Sequence, residues 1–388
     1  MGSSRSPAPP PDMTPGTLPA HPAARSLPTV LARSTLLAVA LAAPGGVTAQ
    51  DTPTLPVPDT TETRLIYAVG ADLSFLKFAE EEQGIRFKDG GVERPGLEIF
   101  RDHGYDWIRL RLFHTPDRLP NDLDYTIALA REAKAMGYRF LLDYHYADHW
   151  ADPQQQWAPA AWDTDDIEVL ADSVYHYTRA TIQAFRDSGA MPDMVQIGNE
   201  VRNGMIWPLG RLPDHWDNFA RLFKAGVDGV DAGRGQAPRP LIMLHYDNGA
   251  DTEGTKAFYD RFHDYDIPYD VIGLSYYPWW HGTLVELRDN FLSVLESYPD
   301  KDVILVEVGY RPHEYEEGEL PPFPEDAPGG PRAAFLEAVN ETLLGLSDRR
   351  VKGIFWWEPA SACDRDYFDA DCNARPVMKV FDRFKRND

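Results

Sequence analysis

Cysteine is almost absent from this chain: Cys363 and Cys372 are the only two among 388 residues. That excludes a disulfide-built scaffold, and a C-x8-C pair with no histidine beside it makes a poor zinc site. Positive charge is also scarce. Lys and Arg number 38 against 61 Asp and Glu, a net charge of −23. Such a balance argues against nucleic acid and anionic membranes as partners, and suits a neutral or cationic substrate. No apolar run is long enough to span a bilayer. A glycine-rich phosphate loop is missing too: the first apolar run of the folded region leads into Gly70-Ala71-Asp72-Leu73, which is no dinucleotide fingerprint.

Aromatic residues, by contrast, are plentiful. They make up 12% of the chain, with ten Trp and eighteen Tyr. Beyond what a core uses, such rings suit a surface that stacks on flat, partly apolar ligands such as sugars. Hydrophobic residues at 43% can fill one large core.

The first 49 residues differ from the rest. Arg25 and Arg33 precede the apolar run Leu36–Ala43, and Val47-Thr48-Ala49 follows. A basic start, a short apolar segment and a small-residue exit are the layout of a secretory signal. Residues 1–49 are therefore expected to be a signal peptide or disordered leader, removed near Ala49/Gln50. The protein is expected to be secreted or periplasmic. Residues 50–63, rich in Pro and Thr, are expected to be a flexible linker, and 64–388 one catalytic domain. In an exported chain, Cys363 and Cys372 are expected to form a local disulfide.

From Leu65 onward, apolar runs alternate with amphipathic stretches. The runs are 65–69, 107–113, 139–144, 194–198, 241–245, 271–275, 303–306 and 353–357. Helix-like spacing lies between them, and 377–385 closes the chain. Eight strands alternating with eight helices in one domain predict a (β/α)8 TIM barrel; an open doubly wound sheet is the second choice.

In such a barrel, chemistry gathers where strands end. The runs close in Asp72, Asp143-Tyr144-His145, Asn199-Glu200, His245, Tyr276-Tyr277-Pro278-Trp279, Glu307 and Trp357. Rings, hydrogen-bonding groups and acids at these corners make a carbohydrate cleft in kind. Glu200 and Glu307 end the fourth and seventh runs and would face each other across the mouth. Hydrolysis of a glycosidic bond needs two carboxyl groups in different protonation states. Arg109 would hold Glu307 ionised, and the charge of Glu307 would raise the pKa of Glu200. His145, Asp148, His149 and Asp152 could suggest a metal, but two facing glutamates need none.

The words G-A-D-L-S (70–74), I-R-L-R-L (108–112), D-Y-H-Y-A-D-H-W-A-D-P (143–153), Q-I-G-N-E (196–200), G-L-S-Y-Y-P-W-W-H-G (273–282), V-E-V-G-Y (306–310) and W-W-E-P (356–359) occur in this order. Together they resemble glycoside hydrolase family 53 of clan A, the arabinogalactan endo-β-1,4-galactanases. The resemblance implies a retaining endo-hydrolase that cuts the β-1,4-galactan side chains of type I arabinogalactan and pectin, without a required cofactor. Glu200 would be the acid/base and Glu307 the nucleophile. Asn199, Arg109, Asp72, His145, Asp148, Trp150, His245, Tyr276, Tyr277, Trp279 and Trp357 would bind substrate. A clan A glycosidase acting on another β-linked polysaccharide is the alternative, and a non-catalytic sugar-binding barrel a further one. Some bacterial members carry calcium, and Asp364, Asp366, Asp369 and Asp371 form the candidate for a structural calcium site here. The partner is then a polysaccharide, with no nucleic acid and no membrane span, and the protein is expected to be a monomer.

Overall fold

A computed structural model describes residues 67–311, 322–346 and 348–384. The expected leader and linker lie outside the described residues. Eight parallel strands close into a barrel in sequence order: β1 (Ala68–Asp72), β2 (Trp107–Leu112), β3 (Arg139–Tyr144), β4 (Met194–Ile197), β5 (Leu241–Tyr246), β6 (Val271–Tyr276), β7 (Asp302–Val308) and β8 (Val351–Trp356). Pairing of β1 with both β2 and β8 completes the ring. The longer helices that cover it are α1 (Gly96–Asp102), α2 (Leu123–Ala135), α3 (Ile167–Asp187), α4 (Trp216–Gly233), α5 (Thr252–His263), α6 (Leu284–Ser297) and α7 (Pro331–Gly345), and short helical turns at Leu76–Glu81 and Pro278–His281 follow β1 and β6. A 3₁₀ segment, Pro376–Phe384, stands where an eighth helix was expected. Among the described residues no helix is long and apolar enough to cross a membrane.

Local chemistry sets the helix ends. Asp122 caps α2 by accepting from the Tyr125 N–H, and Gly137 at φ 87° ends the turn that follows. Thr283 and Glu286 form a reciprocal capping box on α6. Apolar residues fill two spaces. The larger core lies between barrel and helices. A smaller cluster, which includes Ala68, Leu141, Met243 and Phe355, draws on every strand and fills the barrel interior.

Residues 65 and 66 of the first apolar run lie outside the described residues, and the strand runs on past the end of that run at Val69. Gly70, Ala71 and Asp72 pair with Trp107, Ile108 and Arg109, so the ladder runs on into an acid. Arginines beside Asp72 let a charged residue stay in the sheet. Gly70 is required there for space. A Cβ on it would sit 2.2 Å from the Phe355 ring. Gly70→Ala is therefore expected to lower stability by about 1–3 kcal/mol, read as a shifted urea midpoint at unchanged slope.

Candidate active site

Glu200 and Glu307 reach one cleft by two irregular pieces of backbone. Strict alternation would put Glu307 on the same face as Val303 and Leu305, away from the barrel axis. The ladders on both sides break that count. Leu274 pairs with Leu305 but Ser275 with Glu307; Ile354 pairs with Leu305 but Trp356 with Val308. One extra residue in β7 forms a bulge, so Ile304 and Val306 fill the barrel and Glu307 still turns to its mouth. After β4, Gly198 takes φ 80° and Glu200 takes φ 48°. A left-handed non-glycine residue of this kind is held by its surroundings and is common at functional sites.

The carboxylates are close. One oxygen of Glu200, one of Glu307 and a ring nitrogen of His245 lie within 4.8 Å of one another. His245 has both nitrogens engaged, through Glu200 N–H and Gln196 on Nδ1 and Ser275 Oγ on Nε2, so this trio lacks a free imidazole ligand.

The two acids have different neighbours. Tyr277 donates to Glu307 Oε2 over 2.8 Å, and Arg109 Nη2 lies 2.8 Å from Oε1. Ser275 Oγ–H donates to Glu200 Oε1 over 2.8 Å, and no arginine or lysine pairs with Glu200 among the described residues. Burial first, then the charges of Glu307 and Asp247, push the Glu200 pKa well above the usual carboxylate range. Burial also raises Glu307, against the pull of Arg109. Arg109 does not bring Glu307 below its ordinary value because its charge is shared. Nη1 donates to Asp72 at 2.9 Å, and Nη2 lies 2.8 Å from Asp143 as well as from Glu307. Three carboxylates draw on one guanidinium. Of the pair, Glu200 is the one that holds a proton to higher pH.

The structure brings Arg109, Asn199, His245 and Tyr277 to these acids. Asn199 accepts from Arg109 and donates to the Ala151 carbonyl. Trp279 and Trp357 stand at the mouth beside Tyr277, with ring centres 5.3 and 6.5 Å from it. Trp150 stacks over the Arg111 guanidinium, 4.2 Å away, and lies 6.2 Å from Trp357.

Other expected substrate ligands lie elsewhere. Tyr276 points out of the barrel: it stacks on Phe335 of α7 and donates to the Gly282 carbonyl, because it and Tyr277 occupy opposite faces of one strand. Asp72 is fully buried below the cleft, its oxygens taken by Arg109, Arg111 and Ser74. Asp148 ties two loops together, accepting from the N–H groups of Thr115, which follows β2, and of Ala160 in its own loop. His145 is buried, accepts from Ala151 N–H and lies 3.2 Å from Asp143. Both therefore support the site from behind.

Cys363 and Cys372 are joined in a disulfide. The four aspartates between and beside them do not gather as calcium ligands. Asp366 takes the Trp356 indole N–H and Arg332, Asp364 pairs with Arg375, and Asp369 accepts from the N–H groups of Asp371 and Asn373. These partners spend the oxygens in different directions. Among the described residues, the one group of close ligand atoms is the Glu200–His245–Glu307 trio.

The sequence places Asp143 at the end of its run but assigns no role to it, to Gln196 or to Ser275; Gln196 meets Arg109 and His245, Ser275 meets Glu200, and Asp143 lies beside Arg109. Ser275 lies two residues before Tyr277, so period-two alternation was the available signal for it; Gln196 lies three before Asn199, and the left-handed Gly198 between them breaks the count.

A closed (β/α)8 barrel with two unlike carboxyl groups facing each other among stacking rings is a glycoside hydrolase. The chain belongs to glycosyl hydrolase family 53, whose profile matches residues 68–385. It is 38% identical over 319 residues to a probable arabinogalactan endo-β-1,4-galactanase A of Aspergillus terreus, covering 79% of this chain and 89% of that protein. A solved fungal β-1,4-galactanase superposes with a TM-score of 0.72 at 31% identity, over 82% of this chain and 99% of the other. The family 53 catalytic domain of Ignisphaera aggregans gives a TM-score of 0.72 at 28% identity, over 87% and 99%.

Proposed function

We propose that the protein is a retaining endo-β-1,4-galactanase acting on the galactan of type I arabinogalactan and pectin. The carrying observation is the carboxylate pair, with oxygens within 4.8 Å and unlike partners, Arg109 and Tyr277 on Glu307 and Ser275 on Glu200. Retaining glycosidases hold their carboxyl groups about 5–5.5 Å apart, too close for a water to attack between them. The galactan assignment is supported by the relatives, whose names give that activity.

Glu307, ionised, attacks the anomeric carbon while Glu200 gives its proton to the leaving oxygen. A glycosyl ester on Glu307 results. Glu200, now ionised, takes a proton from the water that opens the ester. Tyr277 and Arg109 hold Glu307 at the reacting carbon. Asn199 spends one amide hydrogen on Ala151 O, which leaves the other for the sugar 2-hydroxyl.

Two measurements test this. The protein should cleave potato galactan and leave β-glucan and mannan intact; the reverse would overturn the substrate assignment. Proton NMR during the first minutes should show the β-anomer as the primary product; the α-anomer would mean inversion.

The same roles set a pH profile. Activity requires Glu307 ionised and Glu200 protonated, so it falls at low pH as Glu307 takes a proton and at high pH as Glu200 loses one. Both limbs lie above ordinary carboxylate values, since burial raises both groups. Glu200→Gln should lose the alkaline limb of kcat/KM from its residual activity on galactan and keep the acid limb. An alkaline limb that survives would assign it to another group.

We further propose export, with the leader cut near Ala49/Gln50. Its basic and apolar layout supports this. N-terminal sequencing of the mature protein should begin at or near Gln50; a start at Met1 would refute it.

A further inference from the structure

Behind Glu200 runs a line of buried polar groups that the reaction above does not use. His245 on β5, Ser275 on β6 and Gln196 on β4 are all fully buried. The Glu200 backbone N–H donates to His245 Nδ1 over 3.3 Å, and the Gln196 amide meets the same nitrogen at 3.0 Å. Gln196 cannot be turned over. Its Oε1 accepts from Arg109, and its Nε2 donates to Asp143 Oδ1 over 2.6 Å. Arg109 can only donate, and Asp143 is an ionised acceptor. Two donors therefore converge on Nδ1. Asn199 Oδ1 also lies 3.2 Å from that nitrogen, but it already accepts from Arg109, and the Glu200 N–H fills the space where an Nδ1 hydrogen would point.

A neutral imidazole carries one N–H. With Nδ1 bare, the hydrogen is on Nε2, 2.9 Å from Ser275 Oγ. Ser275 accepts there, so its own hydrogen points to Glu200 Oε1, 2.8 Å away. Burial and then the Arg109 charge keep His245 well below its ordinary pKa, so it stays neutral and the direction does not reverse with pH.

We propose that Ser275, oriented by His245, is a positioning residue: it donates to Oε1 of Glu200 and so confines the transferable proton to Oε2. This rests on the acid/base reading of Glu200. In the first step the Oε2–H bond breaks toward the glycosidic oxygen, which keeps the electron pair of the broken C–O bond. The charge left on Glu200 meets a hydroxyl already aimed at Oε1, with no reorganisation at that moment. In the second step Oε2 takes a proton from water. Ser275 keeps its hydrogen throughout. The opposite imidazole tautomer would draw the Glu200 proton toward Ser275 and away from the substrate. Removing Ser275 would then help the acid rather than harm it.

The test compares kcat/KM on galactan with kcat/KM on 2,4-dinitrophenyl β-1,4-galactobioside, whose leaving group needs no proton. Ser275→Ala should lose about tenfold to a hundredfold on galactan and no more than about threefold on the aryl substrate. Its alkaline limb should move to higher pH, because a bond that favours the carboxylate is gone. Glu307, Asp247 with its partner Arg202, Asp152 and His245 also face Glu200, and all remain in this variant. Ser275→Thr keeps the hydroxyl and should regain most of the activity. Equal losses on the two substrates, or an alkaline limb at or below its original position, would overturn the proposal. Glu200→Ala separates the two levels. If it too shows equal losses, the acid/base reading fails; if it shows leaving-group dependence and Ser275→Ala does not, only the role of Ser275 fails.

Discussion

Glu307→Ala should stop turnover on galactan, with kcat down by roughly 10⁴ to 10⁶, while the protein stays folded. Two structural facts support the second half. Glu307 is a buried carboxyl with a raised pKa, in repulsive reach of Asp143 and Asp72. Its loss leaves Arg109 still paired with both of those acids. The variant therefore removes a nucleophile without orphaning a charge. Azide supplies the sharper readout. In the space left by the carboxylate it should attack an activated β-galactoside from the face opposite the leaving group and yield the α-galactosyl azide. Glu200→Ala with azide should give the β-azide instead, formed from an intact glycosyl ester on Glu307. Melting curves within a few degrees of wild type complete the expectation. Near-normal activity in Glu307→Ala, or a β-azide from it, would end the assignment.

How far the sequence could lead depended on which kind of signal was involved. The barrel was legible because each strand is buried on both faces and reads as an apolar run, and each helix carries its own spacing and caps. The end of a strand was less so. Hydropathy stops at Val69, yet β1 continues to Asp72 because arginines on β2 neutralise that acid. Facing was hardest. Tyr276 and Tyr277 are adjacent, and a one-residue slip sends one ring to the α7 interface and the other to Glu307. Glu307 itself reaches the cleft through a bulge that no period-two count reveals. The acidic loop near Cys363 shows a related limit. Composition shows that oxygens are near in sequence, but not that those of Asp364, Asp366 and Asp369 are turned to separate partners. Burial of Gln196, Ser275 and His245 behind the acids is a property of the closed ring, since they come from three different strands.

The second large effect belongs to Arg109, and it should show in stability and activity together. Arg109 is 1% exposed and lies 2.8–2.9 Å from carboxylate oxygens of Asp72, Asp143 and Glu307. Arg109→Met keeps an apolar stem but leaves those acids without a shared cation. Arg111 still serves Asp72, and His145 lies beside Asp143, so the loss should be near that of breaking one buried ion pair, about 3–5 kcal/mol at neutral pH. The sign of its pH dependence follows from the acids. Burial alone would raise Asp143, but Arg109 and His145 outweigh it and bring its pKa down to about 2; Arg111 and Arg109 likewise lower Asp72. A carboxylate with a depressed folded pKa stabilises above its unfolded pKa, and that contribution fades as pH falls through the folded value. Without Arg109, burial dominates and these pKa values rise. Protonation then relieves the variant on going from pH 7 toward pH 4, while the wild type loses little in that interval. The stability gap, measured by urea denaturation, should therefore narrow as pH falls. Glu307 loses its largest pKa-lowering partner in the same variant. The acid limb of kcat/KM should move to higher pH, so the activity lost at pH 6 exceeds that lost at pH 8. A variant as stable as wild type at pH 7 with an unmoved acid limb would mean that Arg109 neither carries the charge of these acids nor prepares Glu307 to attack.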